Sequence, residues 1–181
     1  RIKMKFNFLL STSILVVSTL SFNAYATLEN TVSIGYAKSK LKVDEDLIND
    51  NLKGINLKYN HEVANDWGVI SSFSYAKNKN DGYDHWGYAG TSKISYYSLT
   101  AGPSYRLNNY VSAYGLIGFG YFHEDFHYYD EREKENKISM AYGLGVQVNP
   151  ITNLAIDVSY EYSKLYDIDF TTWVVGIGYR F

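Results

Sequence analysis

From Phe170 to Phe181 the sequence FTTWVVGIGYRF alternates without a break. Trp173, Val175, Ile177, Tyr179 and Phe181 share one parity, and Thr172, Val174, Gly176, Gly178 and Arg180 share the other. An extended strand sends successive side chains to opposite faces. One face of this segment is therefore wholly apolar, and the other is small with a single charge. An apolar outside with a small or polar inside is what a lipid-embedded barrel demands of each strand.

Seven further runs alternate in the same way. Val32, Ile34 and Tyr36 share a face in 31–40. Ile55, Leu57 and Tyr59 oppose Asn56, Lys58 and Asn60 in 54–61. Trp67, Val69, Phe73 and Tyr75 define the next outer face. Tyr97, Leu99, Ala101 and Tyr105 then oppose Ser98, Thr100, Ser104 and Arg106. The stretch from Val111 to about Tyr129 is long and Gly-rich, and its parity is the hardest to read. Ile138 to Val148 and Leu154 to Tyr162 alternate cleanly, the latter with Asp157, Ser159, Glu161 and Ser163 inward.

A soluble barrel would turn the apolar parity inward. Three observations favour the inverted arrangement. Lys3 and Lys5 precede an apolar stretch from Phe8 to Leu20 and a small-x-small site at Ala24–Ala26, the pattern of an export leader cut after Ala26. Tyr and Trp gather toward strand ends, where an interfacial girdle belongs. The polar parity carries charges of both signs, Lys58, Arg106 and Arg180 against Asp157 and Glu161. Inside an eight-stranded barrel these must pair, because an unpaired buried charge is costly. The interior is then filled by side chains and leaves no pore. The expected architecture is all-β: residues 1–26 are a leader, and 27–181 form an eight-stranded antiparallel transmembrane barrel.

Connections alternate in length. Residues 63–66, 107–109 and 150–152 are short and rich in Asn, Asp and Pro, which supply turn chemistry. Residues 41–53, 79–93, 123–137 and 166–169 are longer or more polar and read as outer loops. The short turns and both termini then face the periplasm of a Gram-negative cell. A spanning strand needs roughly 9–11 residues; the run from Val111 is far longer, so its far half should stand clear of the membrane.

The chain resembles the Ail/Lom/OmpX family of small outer-membrane barrels. The resemblance is carried by Gly54-x-Asn56-Leu57-Lys58-Tyr59, Gly68-Val69-Ile70-x-Ser72-Phe73, Thr100-Ala101-Gly102-Pro103-x-Tyr105-Arg106 and Tyr114-Gly115 through Gly118-x-Gly120-Tyr121. It continues through Tyr142-Gly143-x-Gly145-x-Gln147-x-Asn149-Pro150, Asp157-x-Ser159-Tyr160-Glu161 and Val175-Gly176-x-Gly178-Tyr179-Arg180-Phe181, in order along the chain. It implies a surface protein whose middle strands rise as a protruding extracellular sheet. It also implies adhesion, invasion or complement (serum) resistance, with host extracellular matrix or complement regulators as partners. Other members are envelope-stress barrels with no specific ligand.

Aromatics make up 17% of the chain. Those in the outer loops, Tyr83, His85, Trp86, Tyr88, Phe122, Phe126, Tyr128 and Tyr129, form a candidate host-ligand surface among charges. Lys77, Lys79 and Lys93 lie at the outer rim, where they can meet lipopolysaccharide phosphates as point charges. Catalysis is not expected: His61, His85, His123 and His127 lack a serine at a matching level. No cofactor or metal is called for, although His123 and His127 lie near Glu124 and Asp125. The net charge of −2 argues against nucleic acid. A monomer in outer-membrane lipid is expected. Tyr179 and Phe181 resemble the terminal signal read by the barrel-assembly machinery. Deleting Phe181 should lower the amount of barrel at the cell surface, measured by surface labelling; undiminished labelling would count against that signal.

Overall fold

The computed structural model describes residues 29–43, 46–64, 66–84, 87–128, 131–165 and 168–181. They form eight strands: β1 Asn30–Val43, β2 Asp46–Ala64, β3 Trp67–Asp84, β4 Gly87–Asn108, β5 Val111–Tyr128, β6 Glu131–Ile151, β7 Leu154–Leu165 and β8 Ile168–Arg180. Each is antiparallel to its sequence neighbours, and β8 returns to β1, closing the barrel. The seam runs from Thr31↔Arg180 to Val43↔Ile168.

The turns follow from their polar residues. Asn108 Oδ1 accepts from the backbone N–H of Tyr110 at 2.8 Å and of Val111 at 2.9 Å, an Asx turn between β4 and β5. Asp66 takes a φ of 70° between β2 and β3, a conformation Asp tolerates better than most side chains.

The alternation sets the two faces. Outward residues such as Leu99, Phe119, Leu144, Val175 and Ile177 are all more than half exposed. Asn56, Lys58, Thr100, Asp157, Glu161 and Thr172 are buried inside. Trp67 and Tyr105 pack at 4.9 Å at one end of the apolar band, and Tyr75, Tyr97 and Tyr121 form a ring row at the other. Trp67 and Tyr75 are separated by about 27 Å of extended chain, the scale of an outer-membrane strand.

Two expectations need correction. Residues 41–53, 79–93 and 123–137 are not loops but largely paired strand. The β3–β4 ladder runs to Asp84↔Gly87 and the β5–β6 ladder to Tyr128↔Glu131. Outside lipid neither face of a strand must be apolar, so the period-two signal fades although the pairing continues. Four strands, β3 to β6, therefore rise beyond the barrel, since the β2–β3 ladder ends at Lys53↔Lys77 and the β6–β7 ladder at Ala141↔Ser163. The second correction is Phe122, which is not in a loop. On β5 the even-numbered residues Tyr114, Leu116 and Phe122 are each buried, so Phe122 faces the lumen.

Gly145 makes room for Tyr114: a Cβ there would overlap the Tyr114 ring. Gly145→Val should therefore lower stability by about 1–3 kcal/mol, read from urea unfolding of the refolded barrel in detergent micelles.

Candidate functional site

The lumen is filled on three levels. At mid-height, Lys58 from β2 donates to Asp157 from β7, and to Ser159 Oγ at 2.7 Å. Asp157 also accepts from the Tyr114 hydroxyl at 2.5 Å, and the lysine lies 5.6 Å from the centre of that ring. Asn56 adds donors to Ser72 at 2.8 Å and Ser74 at 2.9 Å. Glu161, two pleat repeats further along β7, accepts from the Tyr96 hydroxyl at 3.2 Å. Two of the five interior charges read from the sequence, Lys58 and Asp157, thus pair directly.

Above them the interior turns apolar. Tyr96 stacks on Phe170 at 5.0 Å, Phe122 packs on Phe170 at 5.3 Å, and Leu41, Leu52 and Ala76 complete the cluster. This plug was not foreseen, because reading the inner parity as uniformly small or polar hides it. Its signal was available, since Leu41 and Phe170 both continue the inward parity of their strands.

The other two interior charges sit at the end carrying the termini. Arg106 and Arg180 pair there with Glu29 and Glu62 rather than with Asp157 or Glu161. Glu62 continues the inward parity of Asn56, Lys58 and Asn60 by one step. Ending β2 at His61 in the sequence reading concealed it. Between these levels Gln147, Asn149 and Thr31 are linked by hydrogen bonds of 3.1 and 3.4 Å.

The outer rim carries cations. Lys38, Lys53 and Lys77 stand in register on β1, β2 and β3, all exposed and all beyond the tyrosine row. Lys93 is also exposed, opposite Lys79 in the β3–β4 ladder. Of the aromatic candidates, Tyr83 faces Tyr88 across the β3–β4 ladder, and Phe126 and Tyr128 lie on β5 opposite Glu133 and Glu131. His85, Trp86 and Tyr129 lie outside the described residues. At the opposite end Tyr179 and Phe181 stack at 6.1 Å on the outer face, and Phe181 exchanges backbone hydrogen bonds with Asn30.

His61 Nδ1 lies 2.6 Å from Asn30 Oδ1, and His123 Nδ1 lies 2.5 Å from Asn136 Oδ1. Among the described residues no group of three His, Cys, Asp or Glu side chains is placed to hold a metal.

A closed barrel with an apolar girdled exterior and a filled polar lumen is an integral outer-membrane β-barrel. Residues 9–181 match the family model described as outer membrane protein beta-barrel domain. The attachment invasion locus protein of Yersinia enterocolitica is 46% identical, over 98% of this chain and 100% of its own length. Outer membrane protein X of Escherichia coli K12 is 36% identical, over 92% and 95%. The crystal structure of Ail of Yersinia pestis, in complex with the heparin analogue sucrose octasulfate, superposes with a TM-score of 0.80 at 44% identity. It covers 86% of this chain and all of that one. The chain belongs to the Ail/Lom/OmpX family of outer-membrane barrels, and it resides in the outer membrane of a Gram-negative bacterium.

Lys58→Met would leave Asp157 buried without its cation, a loss of about 3–5 kcal/mol. Combining it with Asp157→Leu should recover most of that. Urea midpoints of both variants in micelles check the pair, and an equally damaged double variant would contradict it.

Proposed function

We propose that this protein is a surface adhesin of the attachment-and-invasion type, with serum resistance as its companion activity, and that its raised sheet is the binding element. The observation that carries this reading is the sheet itself. Four strands stand beyond the tyrosine row, edged by β3 from 79 to 84 and β6 from 131 to 136, where among the described residues the ladders with β2 and β7 do not extend. Such edges accept an extended segment of a partner by backbone pairing, with little demand on its sequence. Host matrix proteins and complement regulators are the partner class. Tyr83, His85, Trp86, Tyr88, Phe126, Tyr128 and Tyr129 would supply aromatic contact beside those edges. The chemistry is binding rather than catalysis.

The lysines give a second contact. Like charges directly opposite on neighbouring strands repel, so the Lys38–Lys53–Lys77 row calls for anions from outside. Lys77, Lys79 and Lys93 would meet lipopolysaccharide phosphates at the rim. That a relative from Yersinia pestis holds a heparin analogue supports a polyanionic sugar as an alternative occupant of the same cations. In this reading residues 1–26 are an export leader, the barrel-assembly machinery reads Tyr179 and Phe181, and the barrel acts as a monomer.

Replacing Lys79–Gly90 and Glu124–Asn136 by short polar turns should leave the barrel folded and abolish binding to immobilised matrix proteins and survival in serum. The comparison is made at matched surface levels on barrel-poor cells. Equal behaviour of the two forms would make this an envelope barrel without a specific ligand.

A further inference from the structure

The mouth of the barrel at the end carrying the termini encloses a cavity of about 440 Å³. Arg106, Arg180, Glu29, Asn109, Asn149 and Thr152 are on its wall. Its volume lies within the range of small-ligand pockets. The raised sheet and the rim lysines are at the far end of the molecule and take no part in it.

The two arginines are rigidly placed. Arg106 donates its backbone N–H to Asp66 O at 2.7 Å. Arg180 donates its own to Asn153 O at 3.0 Å, and its carbonyl accepts from Asn153 Nδ2 at 3.0 Å. Their guanidiniums converge on the same two carboxylates. Glu62 is shared by both, and so is Glu29.

The Arg180 fork is only half used. Its Nη2 meets Glu29 and Glu62, but its Nε–H is buried and finds no acceptor among the described residues. The Arg180 side chain is 7% exposed, whereas that of Glu29 is 35% exposed. A guanidinium binds a carboxylate best through two parallel N–H···O bonds. Glu29 meets the fork through Nη2 and not through Nε, and an unmet buried donor is unfavourable. Glu29 is also the most exposed member of the cluster. Were it to swing away, two arginines would face Glu62 alone, an excess of one positive charge. That excess, and an Nε–Nη2 edge that only the departure of Glu29 would uncover, both fit one incoming monocarboxylate.

We propose that Arg106 and Arg180 form a carboxylate-binding site at the periplasmic mouth, held in cis by Glu29 and open to the terminal carboxylate of a short peptide. Asn109 and Thr152 provide polar partners for the peptide backbone, and Tyr110 and Ile151 bound the space left for a small side chain. The chemistry is shared by two sources, the D-alanine ends of cell-wall stem peptides and the C-termini of ordinary proteins. The proposal rests on the periplasmic placement of the termini but not on adhesion.

The test uses the full-length barrel in phospholipid nanodiscs, following the Arg180 Nε–H resonance by NMR during titration with di-D-alanine, di-L-alanine and di-L-alanine amide. Both free acids should shift that resonance saturably, and the amide should not. Preference for the D form would name cell wall as the source, and equal or reversed preference would name protein C-termini. Glu29→Gln should tighten binding by about tenfold by weakening the tethered competitor. Arg180→Lys, which cannot form the fork, should abolish the saturable response, followed in that variant through the Asn149 side-chain amide. Absence of saturation, an equal response to the amide, or unchanged affinity in Glu29→Gln would each overturn the proposal. Resistance of each variant to cold SDS confirms that the barrel is intact. Because matrix binding is not measured here, failure of this site and failure of the adhesin reading are separate results.

Discussion

The structure depends on one closure, the β1–β8 ladder. In the hydrocarbon of a bilayer a backbone N–H or C=O finds no water, so every strand needs a partner on both sides. Thirteen register pairs from Thr31↔Arg180 to Val43↔Ile168 supply it at the seam. Reciprocal hydrogen bonds between Asn30 and Phe181 extend the seam to the last residue. Once the sheet is closed, the outside can be apolar on every strand, and the inside must be solved as a small, dry core of its own.

That inner core is layered by chemistry. The mid-height level satisfies a lysine and an aspartate with each other and with Tyr114 and Ser159. The level above is aromatic and aliphatic, and the level below is a ring of two arginines and two glutamates. Burying a pair of opposite charges roughly breaks even with an apolar filling, but leaving one charge alone does not. The arrangement follows from this asymmetry: each deeply placed cation has an anion within bonding distance. The unequal strand lengths then decide the rest. β7 and β8 have 12 and 13 residues, enough to span, while β4 has 22.

The sequence showed the membrane-embedded part almost residue by residue. Leu154 to Tyr162 and Trp173 to Phe181 sit on the faces their parity assigns, because lipid on one side and a polar lumen on the other enforce a two-residue period. Where lipid ends, so does that enforcement. Residues 79–84 and 131–136 are strand, yet they read as loop because their sequence carries no two-residue apolar period. The plug was hidden for the opposite reason: Phe122 and Phe170 are apolar on the polar parity, and only the closed barrel shows that they meet. Arg106 and Arg180 were visible as interior charges, but their partners Glu29 and Glu62 lay just beyond the strand ends drawn from the sequence.

The raised sheet is not a separate module joined by a hinge. β3 to β6 pass from the barrel into the sheet with their backbone ladders continuous, including the run from Ala101↔Ile117 up to Gly90↔Tyr128. Antiparallel hydrogen bonds lie across the strands. A pull on the tips, directed away from the cell, therefore runs along the strands and loads many of these bonds at once, in shear. They would not open one after another like a zipper. Tension applied at the tips would therefore be carried directly into the lipid-embedded wall.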